Sequence, residues 1–180
     1  MSDSRLTAFG RPSLRNDVSS MNIQVKPAPV RKTVRVNASQ RHAFEFFTAK
    51  MIRWWRPEHH LGKSPLKDVV LEPRVGGRWY EVCEDASICE WGKVLEWEPH
   101  GRVLLAWQLD QDWKYDSDFV TELEVRFVAE EDKLTRVELE HRNLERFGAK
   151  VDAVRASLDS KEGWGDALVA YAAAASRAAA

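Results

Sequence analysis

The sequence predicts an α+β fold: one antiparallel sheet with a long terminal helix laid along its apolar face. Three observations predict it. Six segments between residues 66 and 142 read as strands separated by short breaks. Helical periodicities precede and follow them. Alternation within the strands leaves one face apolar and the other charged, so the apolar face needs a cover.

Residues 1–28 are polar, broken by Gly10, Pro12 and Pro27, and hold no sustained period, so a disordered leader is expected there, with Met21 as a second candidate start. A single domain is expected over 29–178. In "VRKTVRV" (30–36), Val30, Val34 and Val36 alternate with Arg31, Thr33 and Arg35, which predicts a half-buried first strand. In "NASQRHAFEFFTAKMIRWW", Ser39 is a helix N-cap, and Ala43, Phe44, Phe47 and Met51 recur at helical spacing. Pro57 closes that region.

Strands are predicted at 66–72, 77–84, 88–97, 102–109, 118–129 and 133–142. A parallel crossover needs a dozen or more residues, so connections as short as "EDAS" and "EPHG" require antiparallel neighbours. Gly76 and Gly77 punctuate the entry to the second of these strands, where side chains would be obstructive. Trp79, Glu81 and Cys83 share one face. So do Cys89, Trp91, Lys93, Leu95 and Trp97, and the two sets coincide if the hairpin turn centres on Ala86; a two-residue turn at Asp85-Ala86 puts them out of phase. Val103, Leu105 and Trp107 form the next set, then Phe119, Thr121, Leu123, Val125 and Phe127, then Thr135, Val137, Leu139 and His141. The opposite parity carries Glu122, Glu124, Arg126, Arg136, Glu138 and Glu140, a face expected in water.

After a helical or irregular stretch, "LERFGAKVDAVRASLDS", the terminal "KEGWGDALVAYAAAASRAAA" places Trp164, Leu168, Tyr171 and Ala175 on one helical stripe. Gly163 and Gly165 flank the tryptophan and permit close backbone approach. At 180 residues the chain buries about 70% of its unfolded surface, enough for a core. A net charge of −1 gives no electrostatic footprint for nucleic acid or an anionic membrane. No apolar run spans a bilayer, no secretory signal is present, and the two cysteines are expected to be reduced, so a cytoplasmic protein is expected. Phosphate-loop, dinucleotide and serine-hydrolase motifs are absent.

The aromatic face supports two readings. One is a filled core. The other is a cavity for a small apolar or aromatic ligand, with Trp79, Glu81, Trp91, Trp107, Phe119, His141 and Trp164 as its binding residues. Glu81 and His141 are the polar groups on that face, and His141 could act as acid or base beside a carboxylate. His59 and His60 lack a recognisable third ligand, so no metal site is expected, and no cofactor. In "DQDWKYDSDF" (110–119), Trp113 and Tyr115 form either a lid or a homodimer contact.

The ordered set "VNASQRHAFEFFT", "WW" (54–55), "RVGGRWYE", "WGKVLEWEPHGRVLLAW", "TRVELEHRNLERFG" and the late "EGW" resembles the branch of the SRPBCC (START-like) superfamily named for the activator of the heat-shock-protein-90 ATPase, over about residues 30–175. The resemblance implies a helix-grip fold, in which a curved antiparallel sheet holds a long carboxy-terminal helix over a hydrophobic cavity. It implies binding of lipids, polyketides, hormones or aromatic metabolites, with some members acting as cyclases or dehydratases. It places Trp79, Trp107, His141 and Trp164 on the cavity side. A cyclase, dehydratase or hydrolase is the alternative expectation. A chaperone partner is less favoured, because the eukaryotic co-chaperone carries a further amino-terminal domain.

Overall fold

A computed structural model describes residues 26–180. The expected leader and Met21 lie outside the described residues, except for Lys26–Ala28. These touch the fold: Lys26 pairs with Glu145, and the Ala28 carbonyl accepts from Arg155.

Seven strands form one antiparallel sheet: β1 (Val30–Val36), β2 (Leu66–Leu71), β3 (Arg78–Cys83), β4 (Ile88–Glu98), β5 (Arg102–Trp107), β6 (Thr121–Glu131) and β7 (Leu134–Arg142). Their spatial order is β1-β7-β6-β5-β4-β3-β2, a meander from β2 to β7 with β1 added at the far edge. Three α-helices complete the fold: α1 (Gln40–Ala49), α2 (Val151–Asp159) and α3 (Asp166–Ala179). The curled sheet grips α3, as the helix-grip expectation requires. The stripe Trp164, Leu168, Tyr171 and Ala175 is buried throughout, and the Tyr171 hydroxyl donates to the Ala43 carbonyl at 2.7 Å, tying α3 to α1. Ser39 caps α1, accepting from His42 N. That helix stops at Ala49, and single 3-10 turns carry the chain to Trp54 and past Pro57.

Two bulges in β4 depart from the simple alternation. The β3–β4 hairpin closes through Cys83 N to Ser87 O and Ala86 N to Cys83 O, with Ala86 in the left-handed region at φ 67°. Neither anticipated turn describes it: Glu81 faces Cys89 in the ladder, and a register shift then sets Trp79 opposite Gly92. A second shift falls between Val94 and Glu96. Of the set expected on one face of β4, Trp91 is buried but Lys93 is exposed and Val94 replaces it inside. A bulge adds a residue to one strand only, so parity changes across it. The glycine pair serves this region too. Gly76 has φ 74°, a Cβ on Gly77 would lie 2.5 Å from Glu72 O, and both glycines bond Val94 across the gap.

The charged face of the sheet is also less wet than expected. Glu124 is 5% exposed and is clamped by Arg102 at 2.5 Å and Arg126 at 3.0 Å, with Arg142 at 3.6 Å. Burial works against its ionised form, but hydrogen bonds from Arg126 and Arg102 outweigh it and hold the carboxyl below its ordinary range.

Candidate functional site

A cavity of about 350 Å³ opens between the sheet, the end of α2 and the turn that leads into α3. Its apolar wall consists of Trp55, Trp91, Trp107 and Trp164 with Leu61, Leu109, Leu158 and Trp113. Glu58, His59, His60, Ser157, Ser160 and Glu162 supply the polar lining. The volume lies at the lower end of the range of about 300–1,000 Å³ typical of small-molecule sites.

Each wall residue is placed by a local device. Trp91 projects inward at the first β4 bulge, where Gly92 lies so close to Ala106 that a Cβ would overlap its carbonyl. Trp107 ends β5. Trp164 sits in a widened turn (Lys161–Gly165), which begins with the Ser160 side chain accepting from Gly163 N; a Cβ on Gly163 would stand 2.5 Å from Ser157 O. Trp55 follows the 3-10 turn after α1, its amide bonded to Met51 O at 2.8 Å.

These indoles form a closed ring. Trp55 meets Trp91 at 4.6 Å between centroids, Trp91 meets Trp79 at 5.4 Å, Trp79 meets Trp107 at 5.6 Å, Trp107 meets Trp164 at 5.7 Å, and Trp164 returns to Trp55 at 6.1 Å. Two of the five have partners for the indole N–H: Trp79 donates to Met51 Sδ and Trp164 to His141 Nδ1. The other three, Trp55, Trp91 and Trp107, are buried at Nε1 and find no acceptor among the described residues. All three line the cavity.

Of the residues expected to bind, the fold brings Trp91, Trp107 and Trp164 to the cavity wall. Trp79 lies behind them in the ring. His141 is fully buried, accepting from Trp164 and engaged with Thr121 Oγ1 at 2.8 Å. Burial pushes its pKa down to about 3, so it stays neutral and forms part of the support for Trp107 and Trp164. Phe119 lies before β6 and packs at a tilt on Phe147, 4.9 Å between centroids, and is not among the wall residues. Glu81 is fully buried and accepts from Leu61 N and Gly62 N, anchoring the 60–62 loop. Burial, then the charges of Glu81 and Cys83, push the Cys89 thiol up to about 11. Trp113 reaches the wall from its loop and meets Trp107 at 6.2 Å, yet it is exposed, as is Tyr115.

Sequence reasoning missed Trp55, Leu61, Leu109 and Leu158 as wall residues. The paired Trp54-Trp55 after a helix with an aromatic face was the available signal. It also found no third ligand beside His59-His60, whereas the fold brings Glu81 and Cys83 of β3 to His60.

The sequence model for "Activator of Hsp90 ATPase homolog 1-like protein" matches residues 37–173. Among solved structures, the fold is similar to that of Txn09, an anthrahydroquino-γ-pyrone synthase, at 38% identity over 83% of this chain and 97% of that one, with TM-score 0.60. It is similar to CalC, a self-sacrificing resistance protein from Micromonospora echinospora, at 29% identity over 85% and 97%, with TM-score 0.65. The Aha1 dimer from Colwellia psychrerythraea shares the fold at 15% identity over 83% and 97%, with TM-score 0.55. No curated protein matches the sequence. Among the described residues, no helix is long and apolar enough to cross a membrane.

Proposed function

The chain belongs to the family of activator of Hsp90 ATPase homolog 1-like proteins, and from that premise we propose that it binds a planar aromatic molecule carrying ring oxygens in its tryptophan-walled cavity. The observation that carries this reading is the set of three buried indole N–H groups without acceptors at Trp55, Trp91 and Trp107. A buried donor left unpaired costs about 1–3 kcal/mol, and native structures hold few of them. All three residues border the cavity with Nε1 itself buried, so a turn of each indole brings its N–H to an acceptor held there; Trp54 Nε1 is unpaired as well, outside this wall. Aromatic walls select a flat ring system, and the donors select oxygens at its edge. The similarity to Txn09, whose name denotes a fused aromatic system bearing such oxygens, supports the same ligand class.

Titration with a panel of hydroxylated anthraquinones, alongside the parent hydrocarbon anthracene, tests the proposal. One-to-one binding of the oxygenated compounds is expected. Trp91→Phe and Trp107→Phe keep a ring but remove the N–H, so each weakens that binding by about 3- to 10-fold while leaving the hydrocarbon unaffected. Equal affinity for hydrocarbon and quinone, or no binding across the panel, refutes it.

A second reading, catalysis of a cyclisation or dehydration on the bound molecule, is favoured by one observation: Glu58, His59, His60 and Glu162 all border the cavity. His141 has no part in it, since both ring nitrogens are occupied and the imidazole stays neutral. Loss of turnover in His59→Ala with ligand affinity retained supports catalysis, and unchanged turnover removes His59 from it. A homodimer or a chaperone partner has only likeness of fold in its favour.

A further inference from the structure

We propose that His60, Glu81 and Cys83 form a binding site for a divalent ion of the zinc class, at the outer end of β3 beside the cavity. One ligand atom from each lies within 4.8 Å of the others. Nitrogen, carboxylate oxygen and thiolate sulfur together are the donor set that suits zinc, rather than the all-oxygen set of calcium or magnesium. Bonds of about 2.0–2.3 Å hold tetrahedral ligands roughly 3.3–3.8 Å apart, so the cluster closes on an ion through about an ångström of side-chain movement.

Two independent features ask for a cation there. Glu81 is fully buried, and its only ionic neighbour among the described residues is His60, whose Nδ1 stands 4.0 Å from Glu81 Oε1. A buried carboxylate without a countercharge is costly. His60 Nδ1 is itself buried and makes no hydrogen bond among the described residues. A direct imidazolium–carboxylate pair would close to hydrogen-bond distance, about 2.7–2.9 Å. The observed gap is wider than a direct pair and about half an ångström wider than a nitrogen and an oxygen held on one tetrahedral ion, so a small side-chain shift admits the ion.

The surroundings fit the role. Leu61 N donates to both Glu81 oxygens at 2.9 and 3.0 Å and Gly62 N donates to one at 2.6 Å, which fixes the carboxylate as outer-shell donors do. Gly62 lacks the Cβ that would overlap Cys83 Sγ. Cys89, the ladder partner of Glu81, brings a second sulfur to the same carboxylate. The inference does not depend on the aromatic ligand, because it uses none of the unpaired indoles.

The test uses the full chain freed of metal by a chelator. Zinc is titrated in competition with a chromophoric chelator, and cobalt(II) is substituted to read the ligands. One equivalent of zinc is expected to bind, with a thiolate-to-cobalt charge-transfer band in the near ultraviolet and a rise in Tm on metal addition. Since losing an outer-shell partner alone typically costs about 10–100-fold in affinity, His60→Ala and Cys83→Ser should each cost at least about tenfold. His60 lies in a part-exposed loop, so its variant is expected to fold as the wild type does without metal. Wild-type affinity no better than that of His60→Ala, or a cobalt spectrum without the thiolate band, overturns the proposal. Quinone binding is measured separately, so failure of one site leaves the other standing.

Discussion

His141 shows how two hydrogen bonds and burial decide what a residue can do. An indole N–H only donates, so His141 Nδ1 must accept from Trp164, and the imidazole proton sits on Nε2 facing Thr121 Oγ1. A second proton would displace the Trp164 contact inside the core. Unfolded, the ring titrates near its ordinary value of 6.5; folded, burial lowers this to about 3. Between those values the unfolded chain binds more protons. The contribution of His141 to stability is therefore complete above about 6.5 and is lost as pH falls toward 3, by up to about 1.4 kcal/mol per pH unit. His141→Gln should flatten that slope in urea denaturation followed across the window. The sequence marked this histidine by its place on an apolar strand face, and the alternation Thr135, Val137, Leu139, His141 is buried as read. It could not show that Trp164, 23 residues away, engages the ring nitrogen an acid or base would use.

In β4, a glycine rather than an aromatic determines where the aromatics point. Gly92 permits the bulge that turns Trp91 inward, and its Cα faces the Ala106 carbonyl with no room for a methyl group. Gly92→Ala should destabilise the fold by about 1–3 kcal/mol through overpacking, as a lower urea midpoint with unchanged m-value. It should also weaken ligand binding, because Trp91 shifts with the strand. A glycine inside a strand was the legible sign of a bulge; its effect on parity was not, because alternation has no mark for an inserted residue. The terminal helix was easier to read. Its stripe is set by local spacing alone, and all four stripe residues are buried. The opposite face of the sheet carries another element-level expectation. Glu124→Gln leaves Arg102 and Arg126 facing a neutral group, and should cost about 1–3 kcal/mol at low salt, less when salt screens the surrounding charges.

Across the whole molecule, the order of elements was legible because it depends on near neighbours in sequence, and so were the wet and dry faces, except across the β4 bulges and at the buried Glu124. The cavity was legible only in part. Trp91, Trp107 and Trp164 lie on regular elements or beside them, whereas Trp55, Leu109, Trp113 and Leu158 arrive from turns, loops and a helix end whose positions follow from tertiary packing. The ring of five tryptophans has a further consequence, for light. Trp54 joins it through Trp55 at 5.8 Å and Trp113 through Trp107 at 6.2 Å, so seven of the eight tryptophans are in ring-to-ring contact, and Trp97 packs instead on Phe44. At such separations electronic excitation passes between indoles faster than any one of them emits. The seven behave as a single antenna, with depolarised emission and coupled bands in the near-ultraviolet circular dichroism. If the cavity takes the aromatic molecule proposed above, a ligand that quenches one indole of the wall drains all seven, and the emission left is that of Trp97.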